Sequence, residues 1–379
     1  MTTVTAPRTT VVPATADPER EVRRRPGRMD EAAWWTVLGA AAGSLGMAWL
    51  FVERLLPLSG QLGFLLVWYG CFVLLYLVAS AVQATGESIG DRLAVVACRT
   101  AGAGVLGALV TIVGYTFFRG IHALRPSFFT QTMGSTGPTN PLTQGGIAHA
   151  IVGSFEQVGL ALLICVPLGV TAALYLNEVQ GPLARVIRAV VDAMSAIPSI
   201  VAGLFVLAVL ILTLGVNRCG LAASIAIAIE MLPVVTRASE VVFRLVPGGL
   251  REAGLALGSS HWRMVRDVVL PTARPGLVTA ILLGIARGIG ETAPVLLVAG
   301  FTSDMNADPL HHAQVSLPLY IFTYVKYPQH TMITRAYGAA LALLIIVLIA
   351  FVTARILGGA PPGQLTRRQR RRLERAENR

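Results

Sequence analysis

Arg287 and Glu291 stand four residues apart inside an apolar run, where residues 284–300 read Gly-Ile-Ala-Arg-Gly-Ile-Gly-Glu-Thr-Ala-Pro-Val-Leu-Leu-Val-Ala-Gly. An arginine inside a membrane span costs at least ~2.5–3.5 kcal/mol on insertion scales, so it persists where it has a partner or a task. Glu291 lies one helical turn on and on the same face, close enough to neutralise the guanidinium. A guanidinium also matches the oxygens of an oxyanion bidentately. An anion entering the span would therefore compete with the carboxylate, which keeps binding moderate and release feasible. The alternative is an ion pair that only fixes helix packing. Gly288 and Gly290 permit close backbone approach, and Pro294 interrupts the helical ladder beside them. Two more charged residues sit in apolar surroundings. Arg237 follows Pro233 at the end of a hydrophobic run and is read either as the lining of an anion exit or as a positive-inside anchor. Glu230, in Ile-Ala-Ile-Glu-Met-Leu-Pro, would repel an anion if charged. It is expected to pair with Arg287 or Arg99, or to be protonated through desolvation.

Other chemistries find little support. Among 31 basic residues the only lysine is Lys326, in Tyr-Val-Lys-Tyr-Pro, with no glycine near it. A phosphate-binding loop needs Gly-Lys-Ser/Thr, so a nucleotide, if used, is bound by another polypeptide. Cys71, Cys98, Cys165 and Cys219 are scattered through apolar stretches without metal or redox spacing. His311-His312 has no further His or Cys close by and reads as a solvated loop. No metal site is expected. Neither a Ser-His-Asp set nor His-Glu-x-x-His nor paired intramembrane aspartates is present, so the chain is not expected to be an enzyme.

Of the 379 residues, 54% are hydrophobic and 13% charged, with a net charge of +11. A soluble domain carries about 25% charged residues. The deficit predicts an all-α, polytopic membrane protein. Eight segments are long and apolar enough to cross: 33–52, 62–82, 93–117, 148–176, 199–216, 219–235, 276–300 and 336–356. The arginines concentrate in 1–32, 83–92, 177–198, 236–275 and the tail from Arg355, which places both termini in the cytoplasm. Residues 1–32 read as a disordered cytoplasmic tail. The basic tail 357–379 reads as a charge cluster that sets topology or lies on anionic lipid. Nucleic acid is a poor partner, because no soluble domain presents this charge. Segment 118–146 lies outside, with Phe117-Phe118 and Phe128-Phe129 expected at the membrane interface.

The polar segment 248–271 separates two hydrophobic runs on the inner side. Leu250 to Leu257 favours a helix with Leu250, Ala253 and Leu257 on one face. Gly258 fits the position after a helix end, where positive φ costs nothing. Ser259 or Ser260 then caps a second short helix. Leu270-Pro271 is expected to end that second element, since a residue preceding proline is pushed out of the α region.

This order of residues resembles the cytoplasmic loop of bacterial ABC-importer permeases, Glu-Ala-Ala, three residues, Gly, nine residues, Ile, one residue, Leu-Pro. Here it reads Glu252-Ala253-Gly254, Gly258, Val268 and Leu270-Pro271, with the spacing kept and with Gly254 and Val268 departing from the pattern. Gly254 loosens the first helix by about 1 kcal/mol relative to Ala. The run from Arg287 to Pro294 resembles the Arg-x-x-Gly-Glu-Thr-Ala-Pro segment of phosphate permeases of the PstA type. Gly145-Gly146-Ile147-Ala148, Ala196-Ile197-Pro198-Ser199 and Ser316-Leu317-Pro318 resemble other stretches of that family. The resemblance covers about 93–356, a six-helix permease core, and leaves 33–92 as two additional spans. It implies a subunit of a phosphate importer in the bacterial plasma membrane, with the path at Arg287, Glu291, Arg237 and Glu230. It also implies that Glu252, Ala253, Leu257, Gly258, Leu270 and Pro271 meet an ATPase. The partners implied are a PstC-type permease, a dimer of ATP-binding subunits that hold ATP and Mg, and an extracytoplasmic phosphate-binding protein. No cofactor is expected in this chain. Import of sulfate or molybdate is the alternative within the class, and a gradient-driven transporter the alternative outside it, although no internal repeat supports the latter.

Overall fold

The computed structural model describes residues 31–52, 61–82, 89–179 and 181–358. The N-terminal tail expected over 1–32 lies outside them as far as residue 30, as does the C-terminal tail from residue 359 on. Among the described residues every regular element is helical. Five helices are long and apolar enough to cross a membrane: Ala94–Ala123, Ala148–Glu178, Gly220–Arg244, His261–Ile289 and His330–Ile356. A sixth crossing arises if Pro182–Ala196 and Ser199–Thr213, which meet at 105°, count as one broken span. The segments expected at 33–52 and 62–82 contain the shorter apolar helices Val37–Leu50 and Gly63–Ala79.

The chain divides into two compact units, Met1–Leu109 and Val110–Arg379. In the first, α1 (Glu31–Leu50) lies against α2 (Gln61–Val82). Ala40, Ser44 and Ala48 recur every fourth residue and are buried, which forms a small-residue face. The Ser44 hydroxyl donates to the Ala41 carbonyl at 2.8 Å, so it is not left unpaired in apolar surroundings. The first part of α3 (Ile89–Gly120) meets α2 through Thr100, whose hydroxyl is 2.9 Å from that of Tyr69.

The second unit is organised around α8 (Gly220–Arg244), the most buried of the long helices. Beside it run α5 (Ala148–Glu178) and α11 (Leu270–Ile289). The N-terminal ends of α5 and α8 both meet the segment around Gln314 and Val315, and Gly169 faces Val235 and Thr236 further along, so α5 and α8 run parallel. α11 is antiparallel to α8. Gly276 faces Val242, Gly284 faces Val235, and Gly288 faces Met231 and Ile227. A methyl group at Gly288 would run into the Met231 side chain. These small residues let the two backbones approach more closely than larger side chains allow.

Two expectations for the inner loop and the seventh span change. Leu270-Pro271 does not end a helix. α9 (Gly248–Ala256) is followed by the short α10 (His261–Met264), which runs through a wide π turn, Val265–Val269, directly into α11. Leu270 is helical at φ −61°, ψ −45° despite preceding proline. A π turn bonds to the fifth residue back and widens the backbone, so it accommodates both the missing N–H of Pro271 and its ring. Buried Met264, Val265 and Val269 hold that turn in a small apolar cluster with Phe243 and Ala173. The expected span 276–300 therefore begins near 261 and stops at Ile289. The chain breaks at 290–292 and resumes as α12 (Ala293–Val298), with Pro294 in its first turn. The fifth and sixth expected spans do separate around Asn217-Arg218. α7 (Ser199–Val206) extends through a second π turn to Thr213, and α8 begins at Gly220.

The outer segment also departs from expectation. Phe128, on the short α4 (Pro126–Thr130), is fully buried and not at the membrane interface. Its ring and Ala123 occupy the space left by the absent side chain of Gly338, on α14 (His330–Gly358). Phe117, Phe118 and Phe129 are exposed. One turn before Gly338, the fully buried Arg335 donates from Nη2 to the carbonyls of Asn140, Pro141 and Gln144 at 3.0, 2.9 and 3.1 Å. An irregular loop leaves carbonyls without ladder partners, and a guanidinium supplies donors to several at once. Beyond α12, Asn306 organises a second outer loop by donating to the carbonyls of His311 and Ala313, and α13 (Leu317–Tyr324) follows. In that loop the backbone N–H of Leu310, and then His311, hold the Asp308 carboxyl below the usual carboxylate range.

Two stability tests follow from this packing. Arg335→Gln removes donors from buried carbonyls and is expected to cost about 3 kcal/mol. Limited proteolysis should then cut within 131–147 faster than in the parent protein. Gly288→Leu is expected to lower the thermal midpoint in detergent more than Gly290→Leu, because nothing lies within 4 Å of a Cβ at Gly290.

Candidate functional site: an intramembrane arginine between two carboxylates

Three of the four predicted path residues meet. α8 carries Glu230, the last turn of α11 carries Arg287, and the break after α11 carries Glu291. Arg287 Nη2 donates to Glu230 Oε2 at 3.0 Å and lies 3.4 Å from Glu291 Oε1. The carboxylate side chains are sunk, at 7% and 10% exposure, while that of Arg287 is 49% exposed. Glu230 thus pairs with Arg287, one of the alternatives left open by its sequence context. Both ion pairs use the same guanidinium nitrogen. Nε and Nη1 have no protein partner among the described residues, so the outer edge of the guanidinium is presented for further contacts.

Arg237 belongs to a different cluster. It lies seven residues after Glu230 on α8, about 10 Å further along the helix. Its Nη1 donates to Glu240 Oε2 at 2.9 Å, and its Nη2 bonds Asp192 of α6 (Pro182–Ala196). Glu240, 3% exposed at its side chain, also receives Arg188 of α6 at 3.0 Å and Arg244. Sequence reasoning missed Glu240, Arg188 and Asp192. The spacing of Arg237, Glu240 and Arg244 on one helix carried a readable i, i+3 and i, i+4 signal. The contribution of α6 had no local signal, because it comes from 52 residues away.

The segment 248–264 folds as expected, as two short helices joined by a glycine turn and capped at Ser260. Gly258 has φ +80°. The N–H of Gly258 bonds the Leu255 carbonyl at 2.9 Å and that of Ser259 bonds the Gly254 carbonyl at 3.3 Å. Together these satisfy the open carbonyls at the end of α9. Ser260 caps α10 by accepting from Arg263 N–H. Glu252, Ala253 and Leu257 are exposed. Leu250, Leu255, Leu257 and Trp262 present large exposed apolar side chains on this segment, Leu257 at 87% exposure. Trp262 and Leu255 were not singled out from the sequence. Leu270 instead packs against the cluster beneath, and Pro271 stands at the start of α11. Gly254 has a physical reason: a Cβ there would sit 3.3 Å from Met264, where α9 and α10 cross.

Residues 165–359 match the family described as binding-protein-dependent transport system inner membrane component. Phosphate transport system permease protein PstA 1 of Mycobacterium tuberculosis is 42% identical over 241 residues, 63% of this chain and 79% of that protein. The phosphate transport system permease protein PstA of Yersinia pestis is 36% identical over 251 residues, 66% of this chain and 83% of that protein. A solved structure of the MetNI methionine ABC transporter in inward-facing conformations is 23% identical, with a TM-score of 0.44 over 56% of this chain and 93% of that one. With an apolar helical core and more than three quarters of each PstA relative covered, this chain belongs to the binding-protein-dependent transport system inner membrane components, among their PstA permeases.

Proposed function

We propose that this chain is the membrane-spanning permease subunit of an ATP-driven phosphate importer in the bacterial plasma membrane. The observation that carries the reading is Arg287, whose half-exposed side chain is held through Nη2 by two sunken carboxylates, with Nε and Nη1 unpaired among the described residues. A phosphate oxygen pair takes the free edge of the guanidinium, and Glu230 and Glu291 compete for the same charge. That competition prevents a deep trap, which transport requires. Arg237 and its neighbours form the cytoplasmic part of the path, where Glu240 and Asp192 hold the arginines in place.

The exposed apolar surface of α9 and α10 is the contact for a separate ATPase subunit, which holds ATP and Mg; this chain carries neither. ATP-driven closure of two ATPases moves two such loops and rocks the helices between inward- and outward-facing arrangements. The remaining partners are a PstC-type permease and an extracytoplasmic phosphate-binding protein. The permease core extends over 93–356 and the helices of 33–92 are an addition to it. Together they make eight spans with both ends in the cytoplasm, as the arginine distribution supports.

Two measurements test this reading. In cells with the rest of the system intact, Arg287→Ala is expected to lower ATP-dependent phosphate uptake more than tenfold, with the protein still in the membrane at normal levels. Uptake at the parental rate would remove Arg287 from the path. Leu257→Asp, on the surface and away from the core, is expected to abolish co-purification of the ATPase while leaving the permease folded. Retention of the ATPase by that variant would place the contact elsewhere.

A further inference from the structure

The lever formed by α9 and α10 must be joined to the helices that line the path, and the joint is visible. Glu178 is the last residue of α5, and its side chain is only 9% exposed although it lies at the inner end of the helix. Arg251 of α9 reaches it, with Nη2 3.3 Å from Glu178 Oε1. The same Nη2 donates to the Phe243 carbonyl on α8 at 2.9 Å. Asn177 donates to Glu178 Oε1 at 2.8 Å, and His261 of α10 stands 4.0 Å from its other oxygen. One guanidinium thus binds the lever to both central helices, and one carboxylate receives groups from α5, α9 and α10.

The apolar cluster beneath, with Ala173, Phe243, Val246, Met264 and Val269, also links these elements. Apolar contact is non-directional and permits sliding. A charge-assisted hydrogen bond fixes direction as well as distance. Arg251 makes such a bond to the Phe243 carbonyl of α8 and an ion pair with Glu178 of α5, so displacement of α9 passes to both helices, whereas the cluster alone would let the lever tilt.

We propose that Arg251 and Glu178 are positioning residues that form a strut between the ATPase-contacting lever and the path helices, so that breaking it uncouples ATP hydrolysis from transport. The proposal rests on the importer reading above. The test uses the complete complex, with both permeases, the ATPase and the binding protein, reconstituted in vesicles. The readouts are phosphate taken up, ATP hydrolysed, and ATPase retained on purification.

Arg251→Met and Glu178→Gln are each expected to keep the ATPase bound and hydrolysis within about twofold, while phosphate moved per ATP falls about tenfold. The double variant should be no worse than Arg251→Met alone, because that variant has already lost the Arg251–Glu178 link. An unchanged ratio, a parallel fall of hydrolysis and uptake, loss of the ATPase, or an additive, about hundredfold effect would each overturn the strut. Failure of the parental complex to take up phosphate on ATP would instead sink the importer reading.

Discussion

A charge placed in a membrane span must be compensated by other groups of the protein, and this requirement organises the second unit of the chain. Arg287 reaches Glu230 only because α11 lies close against α8, and α11 lies close because glycine faces α8 at 276, 284 and 288. The ion pair and the glycine stripe are one device. Larger side chains on that face would separate the helices and leave the buried Glu230 without its arginine, which is far more costly than never having placed it there. The break at 290–292 serves the same device, since it brings Glu291 back to the guanidinium while the chain changes direction.

The rest of the unit carries its polar groups by the same logic. Arg335 satisfies three carbonyls of an outer loop that has no ladder of its own. Glu240 gathers three arginines at the inner end of α8. Arg251 holds a backbone carbonyl and a carboxylate at once. In each case a guanidinium bridges elements distant in sequence, which suits a chain whose 31 basic residues include a single lysine. A lysine offers a point charge, whereas the planar fork joins two or three acceptors in fixed directions.

Much of this was legible in the sequence. The helical class, most of the long apolar segments, the glycine turn at 258 and the i, i+4 relation of Arg287 and Glu291 depend on local pattern, and local pattern survives folding. The inner loop was misread at Leu270-Pro271 for an instructive reason. The rule that proline restrains its predecessor is a statement about an ordinary α turn, and here a π turn, held by Met264, Val265 and Val269, replaces that turn. Phe128 was misplaced because its burial depends on a glycine at 338, more than two hundred residues later.

By itself, the sequence determined which residues are charged inside apolar runs, about where most of the helices lie, and which loop carries the importer-permease pattern, since all of these follow from composition and spacing along one chain. Only the tertiary structure decided that Glu230 joins Arg287, that Arg237 belongs to Asp192 and Glu240, and that Arg251 ties the lever to Glu178. The physical reason is that each pairing joins different helices. Which partner wins depends on how closely two backbones can pack, and that distance is set by side chains on faces that no single helix reveals.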